Sequence, residues 1–187
     1  MYMDENMDTG DIILKEVVKI DDNETTGELW CRLSKLGAEL LVKTVKQIDD
    51  GTATRTKQSG EATMAPMLAK SMAQIKWDTQ TTQEIKNLVR GLNPIMGAYT
   101  FCNGKKLKFW KVDCVKIESE EIKNIETENY ATIKPGTIIC SDYKKGLYVK
   151  TIDGTIKILE IQAENAKKMS ILDFLRGNQL KTGEIFE

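Results

Sequence analysis

Two rhythms of apolar residues divide this chain. Ile12 to Ile20, "IILKEVVKI", is β-branched and predicts a strand, with Lys15, Glu16 and Lys19 on its wetter positions. Thr25 then stands three residues before Glu28, a capping box in which each side chain satisfies an otherwise free backbone N–H. Leu29, Leu33, Leu36, Leu40 and Val45 follow at helical spacing along one face, and Gly51 ends that helix where a left-handed cap is cheap. One strand and one long helix bury no core of their own, so this apolar face is expected to pack on something beyond them. "TATRTKQSGEATMAP", Thr52 to Pro66, has no apolar period and reads as a linker or crossing segment.

A second capping box, Thr81 with Glu84, opens a helix whose Ile85, Leu88, Val89 and Leu92 share a face, and Asn93-Pro94 stops it. The period then changes from helical to two. "AYTFCNGKKLKFWKVDCVKI" predicts two strands around Asn103-Gly104, a strong hairpin signal, and "GTIICSDYKKGLYVKTIDGTIKILEIQ" adds three more, joined at Lys145-Gly146 and Asp153-Gly154. Five short strands with flanking helices make the chain mostly β and predict a small barrel of the OB type. "ESEEIKNIETENY", between strands, is acidic and reads as an exposed excursion. Ser170 and Asp173 cap a short last helix, "SILDFLRG", that ends at Gly177.

Composition narrows the chemistry. The 187 residues contain no histidine, which excludes a His-based triad or a His-ligated metal site built from this chain alone. Cys31, Cys102, Cys114 and Cys140 are scattered with no CxxC pair, so they read as reduced, partly buried thiols and no metal is expected. The acidic start "MYMDENMD" does not resemble a signal peptide and no apolar run reaches membrane-spanning length, which together point to a cytoplasmic protein with no membrane partner. The net charge of −1 hides an asymmetry: residues 1–66 carry 8 Lys/Arg against 13 Asp/Glu, and residues 67–187 carry 19 against 15. The basic half can attract a polyanion.

The chemistry-bearing stretch is "MDENMDTGDIIL", where Asp4, Glu5, Asp8 and Asp11 crowd around Gly10. A carboxylate on a tight turn can orient a neighbouring group or relay a proton, or it can satisfy backbone N–H groups in its own turn. Gly10 is either required for a close approach of chain segments or is a turn glycine.

The chain resembles the methionyl-tRNA formyltransferase family over nearly its whole length. The landmarks are "MDTGDIILKEVVKI", "TTGELWCRLSKLGAELL", "ATMAPMLAKSMAQIKWD", "LVRGLNP", "GAYT", "KLKFWKV" and "MSILDFLRGN", all in order. The resemblance implies three parts: residues 1–51 as the strand–helix end of a Rossmann-like catalytic domain, residues 52–70 as a linker, and residues 71–187 as an OB-like tRNA-binding domain. It implies transfer of a formyl group from 10-formyltetrahydrofolate to the amino group of methionyl initiator tRNA. Asp8 matches the family's catalytic aspartate, whose asparagine and histidine partners would lie in a missing N-terminal part of the catalytic domain. This chain alone is therefore expected to be inactive. Met3, Asp4, Glu5, Asn6 and Met7 would line the folate pocket, mainly through backbone groups. Asn6 replaces a glycine usual in the family, and asparagine tolerates the positive φ such a turn demands. Ile95 and Met96 stand where the family commonly has a tryptophan and a proline.

The resemblance implies that the second half docks tRNA; the candidate contacts are Arg55, Lys57, Arg90, Lys105, Lys106, Lys108, Lys111, Lys144 and Lys145, basic groups at element ends and loops that either follow phosphates without reading bases or form an ordinary solvated surface. Strand alternation places Lys106 and Lys108 on one face, and Phe109 and Lys111 on the other. Trp77, Phe101, Trp110 and Phe174 read as core. Two other readings stand beside this one: the end of another folate-dependent formyltransferase, of the nucleotide-sugar type, or a stand-alone OB-type RNA-binding module.

Overall fold

Two capping boxes and three hairpin turns set the frame of the fold. In the computed structural model, residues 1–115 and 130–187 are described. The chain separates into two units, Met1–Met67 and Leu68–Glu187.

In the first unit, helix α1 (Thr26–Asp49) begins at the predicted box: Thr25 accepts from the Glu28 N–H, and the Glu28 carboxylate accepts from the Thr25 N–H at 2.8 Å. It ends at Asp50, with Gly51 at φ 70°. The strand expected over Ile12–Ile20 is not formed. This segment makes a single antiparallel bridge, between Ile12 and Thr56, and is otherwise extended. A strand needs a neighbouring backbone along its length, and the described residues supply one only at Thr56. The apolar stripe of α1 also has no core here: no residue of the helix is buried, and Leu33 and Val45 are exposed.

The second unit is a mostly antiparallel sheet with helices. Its elements are α2 (Thr82–Gly91), β1 (Ala98–Cys102), β2 (Lys105–Val115), β3 (Ile138–Asp142), β4 (Gly146–Lys150), β5 (Thr155–Ala163), β6 (Met169–Ser170) and α3 (Ile171–Gly177). The β1–β2 turn is the predicted Asn103-Gly104, with φ 50° and 72°, the double positive φ that a two-residue hairpin matched to strand twist demands. The boxes at Thr81/Glu84 and the cap at Ser170/Asp173 start α2 and α3 as expected. The acidic excursion "ESEEIKNIETENY" lies, but for its last residue, outside the described residues.

The strands run β1-β2-β5-β4-β3, with β6 added to β5. This ladder does not close into the barrel expected from the sequence. Among the described residues, β1 and β3 do not pair with each other. Each pairs instead with the tail 183–187: Phe101 and Glu187 exchange N–H···O bonds at 3.0 and 2.9 Å, and Ile138 and Phe186 donate to the Glu184 and Gly136 carbonyls at 2.8 and 2.9 Å. Phe186 thereby enters the core, stacked on Trp77 at 5.7 Å and edge-on to Phe109 at 5.6 Å. The Trp77 indole N–H donates to the Thr100 hydroxyl, which donates to the Glu187 carbonyl, both at 2.9 Å, so the buried polar atoms are satisfied. Gly136 makes this approach possible, because a Cβ there would sit 2.7 Å from the Phe186 carbonyl oxygen.

Lys111 departs from strict alternation. The β2–β5 register shifts between Phe109 and Val112, so Phe109 and Val112 are buried while Lys111 is exposed. An irregularity of this kind re-aims the side chain and removes Lys111 from the inner face on which plain alternation puts it. Trp77 and Phe174 are core, as read; Phe101 and Trp110 are half-buried on the opposite face of the sheet.

Candidate functional site

The acidic loop at the start of the chain is held by its own side chains and by a segment far along the sequence. Asp4 accepts from the Glu5 N–H at 2.8 Å and from the Thr9 hydroxyl at 3.3 Å, which fixes the turn across residues 4–9. The Tyr2 N–H donates to the Asp11 carbonyl at 2.9 Å, drawing the two ends together. Gly10 sits in that gap: a Cβ there would lie 1.9 Å from the Tyr2 carbonyl oxygen, so close approach, not turn geometry alone, demands the glycine. The residue with positive φ is Asp8, at 59°; Asn6 does not adopt it, so the tolerance expected of Asn6 is used at the aspartate instead. Asp8 is exposed, and the loop encloses an open hollow of about 250 Å³ lined by residues that include Met3, Asp4, Asn6, Met7 and Asp8. Glu5 is exposed and outside that lining.

Gln58 was not among the residues singled out. Its side-chain amide donates to the Asp8 and Gly10 carbonyls, both at 2.8 Å, and so braces the loop from outside. The only sequence signal was an amide in a polar stretch, which carries no information about a partner so far upstream. Arg55 lies over the Tyr2 ring at 4.0 Å and 3.9 Å from the Asp11 carboxylate, while Lys57 is exposed on the same segment. These groups belong to the first unit.

In the second unit, topology gathers some of the predicted lysines and separates others. Lys105 and Lys106 open β2, and Lys144 and Lys145 precede β4; both strands run antiparallel to β5, so the two turns share one end of the sheet. The Lys144 and Lys145 N–H groups donate to the Asp142 carboxylate at 2.7 and 2.8 Å, which holds its pKa below the ordinary aspartate range and fixes the turn that presents the two ammoniums. Beside the β1–β2 turn lies a cavity of about 430 Å³ whose lining includes Asn103, Lys105, Lys106, Asn165 and Asn178. Lys106 and Lys108 share the outer face, as alternation predicts. Arg90, near the end of α2, accepts its place from the Asn87 side chain, to which its Nε donates at 2.9 Å. Among the described residues no cluster of three or more cysteines and carboxylates is placed to hold a metal ion, and no helix is long and apolar enough to cross a membrane.

Both parts of the chain match family models. Residues 67–179 match the formyl transferase C-terminal domain, and residues 1–45 match the formyl transferase model. The chain belongs to the formyl transferase family. It is 40% identical over 185 residues to the methionyl-tRNA formyltransferase of Halothermothrix orenii, covering 98% of this chain and 56% of that protein. It is 40% identical over 188 residues to the enzyme of the same name from Carboxydothermus hydrogenoformans, covering all of this chain and 56% of the relative. The chain thus spans about half the length of the relatives it matches. Among solved structures, HypX from Aquifex aeolicus in complex with tetrahydrofolic acid superposes with a TM-score of 0.63 at 15% identity, covering 98% of this chain and 32% of HypX, a likeness of fold.

Proposed function

We propose that this chain is the C-terminal half of a methionyl-tRNA formyltransferase, which transfers a formyl group from 10-formyltetrahydrofolate to the amino group of methionyl initiator tRNA in the cytoplasm. The observation that carries this reading is the 40% identity to such enzymes running through 98% of the chain. Residues 1–51 end the Rossmann-like catalytic domain, residues 52–70 link, and residues 71–187 form an OB-like domain, in which the tail 183–187 completes the barrel that the strand ladder leaves open.

The donor, when bound, supplies the formyl carbon. The loop fits such a ligand: its hollow is lined by Tyr2 and the methionines Met1, Met3 and Met7 together with Asp4, Asn6, Asp8 and Gly10, a mixture of apolar and hydrogen-bonding residues that suits the flat face and the edge of a pterin ring. Met3, Asp4, Asn6 and Met7 would hold the ring, with Glu5 outside it. Asp8 offers an exposed carboxylate on a turn braced by Gln58, and its role would be to hold an imidazole in one tautomer and to order a proton-relaying water. That imidazole, and the asparagine beside it, come from the preceding part of the catalytic domain. In the second unit the lysines at the shared end of the sheet follow tRNA phosphates, with Arg55, Lys57, Arg90 and Lys111 as further contacts.

The test is a formylation assay on charged initiator tRNA. The purified chain alone is expected to transfer nothing. Joined to the upstream part of the Halothermothrix orenii enzyme it is expected to be active, with Asp8→Asn lowering kcat by at least about 100-fold. Transfer by the isolated chain, or full activity of the Asp8→Asn hybrid, overturns the reading. An amino-sugar nucleotide outcompeting tRNA as acceptor would favour the nucleotide-sugar alternative.

A further inference from the structure

The outer face of the sheet carries chemistry that phosphate contacts leave unused. Partners directly opposite in an antiparallel ladder share a face. On the inner face of β1, β2 and β5, Ala98, Thr100, Leu107, Phe109 and Ile161 are buried. On the outer face the ladder sets Phe101 beside Lys106, and Tyr99 beside Lys108 beside Gln162, with Trp110 two residues on. All six are half-buried. Of the three aromatic rings on this face, Tyr99 packs in part against the core, while Phe101 and Trp110 lie outside it.

Trp110 is fixed from two sides. Its indole N–H donates to the Gln162 side-chain oxygen at 2.9 Å, and its ring packs on Gly97, where a Cβ would meet it at 3.0 Å. Its neighbours also include only loosely placed cations, the Lys108 and Lys168 ammoniums, 5.7 and 5.8 Å from the ring centroid. Lys106 similarly stands 3.7 Å from the centre of Tyr99, whose ring meets Phe101 edge-on at 5.7 Å. Ammoniums on flexible stems can leave a ring for a phosphate, and a base can take their place. The segments 98–111 and 160–170 hold six lysines against two glutamates, and one of those lysines, Lys168, is paired with Glu160 at 3.0 Å. Rings that stack bases, bordered by cations that track the backbone, are the combination that binds unpaired nucleic acid.

We propose that the β1–β2–β5 outer face is a stacking platform for unpaired RNA nucleotides, with Trp110 and Tyr99 receiving bases and Lys106 and Lys108 the flanking phosphates. This rests on the tRNA-docking reading and deepens it: the domain would hold a looped-out or single-stranded part of its RNA and not the duplex alone.

The experiment measures binding of the purified chain to a labelled oligouridylate of about 12 nucleotides, to an RNA duplex of the same length, and to initiator tRNA, over a salt series. The single strand is expected to bind more tightly than the duplex. Trp110→Leu and Tyr99→Leu are each expected to weaken single-strand binding about tenfold with the salt slope unchanged. Trp110→Phe, which keeps a ring, should retain most of the affinity. Lys108→Ala should lower the salt slope by about 0.7. Tyr99→Leu keeps the test independent of the packing that Trp110 makes on Gly97. Equal binding of duplex and single strand, or leucine variants that bind like the parent, overturns the platform while leaving tRNA docking in place. A chain that binds neither the single strand nor initiator tRNA overturns both.

Discussion

The Gln58 side chain and the Asp8 backbone, fifty residues apart, meet in a hydrogen bond of 2.8 Å. The same amide donates to Gly10, so one side chain spans the turn in which Asp8 holds a positive φ. Gln58→Ala should release this brace at a local cost of about 1 kcal/mol. The amides of Tyr2 and Ile12, which donate to the Asp11 and Thr56 carbonyls, are expected to exchange with deuterium faster while those of α1 keep their rates. Gln58→Glu, which sets an acceptor against two carbonyls, should loosen the loop more than alanine does; native exchange rates in both variants would refute the brace.

Phe186 anchors the tail between the two sheet edges and packs on Trp77 and Phe109. Phe186→Ala should destabilise the second unit by about 3–5 kcal/mol through the cavity it leaves. Urea denaturation followed by tryptophan fluorescence, to which the buried Trp77 contributes, is the direct measurement. Loss of under 1 kcal/mol would mean that the tail is not part of the core.

Asp153 ties the β4–β5 turn to the start of α2. Burial opposes its charge, but the carboxylate accepts from the Thr82 N–H at 2.8 Å and the Thr82 hydroxyl at 2.7 Å, with Thr151 adding a third donor, and these hold its pKa below the ordinary value. A depressed acid pKa stabilises the fold above the unfolded-state value and loses that contribution as pH falls through the folded one. Stability should therefore decline as pH drops below about 3.9, the free aspartate value. In Asp153→Ala that part of the decline should vanish, with a loss near neutral pH of about 1 kcal/mol, since solvent reaches the site.

At alkaline pH the thiols act in the opposite sense. Burial, then the nearby Glu184 carboxylate, push Cys102 up to about 11 from 9.0, and burial raises Cys140 as well. A raised thiol pKa stabilises the fold below the unfolded-state value and is lost as pH climbs through the folded one. Thermal midpoints should fall between pH 9 and about 11, less so in Cys102→Ala measured against its own neutral-pH midpoint. At pH 8 a thiol reagent should label exposed Cys31 first and Cys102 last.

Local chemistry was legible because its causes are local. Thr25/Glu28, Thr81/Glu84, Ser170/Asp173 and Asn103-Gly104 each act within four residues, and each lies where the sequence places it. The Asp8 turn was recognisable for the same reason. What escaped prediction depends on partners distant along the chain. Ile12–Ile20 has strand composition, yet among the described residues finds a neighbouring backbone only at Thr56. Gln58 gains its meaning from carbonyls of a loop that no spacing connects to it. Lys111 leaves its expected face because the β2–β5 register slips beside it, and register is a property of two strands. The tail "GEIFE" is too short to carry a period, although it supplies the backbone that β1 and β3 lack.

That tail sets an order of events during synthesis. Phe101 and Ile138 cannot satisfy their edges, nor Trp77 its stacking partner, until residues 183–187 have left the ribosome. The β unit therefore matures only after residues 183–187 emerge, and a nascent chain halted shortly before that point would display the unpaired stretches of β1 around Phe101 and of β3 around Ile138 to chaperones and to neighbouring chains.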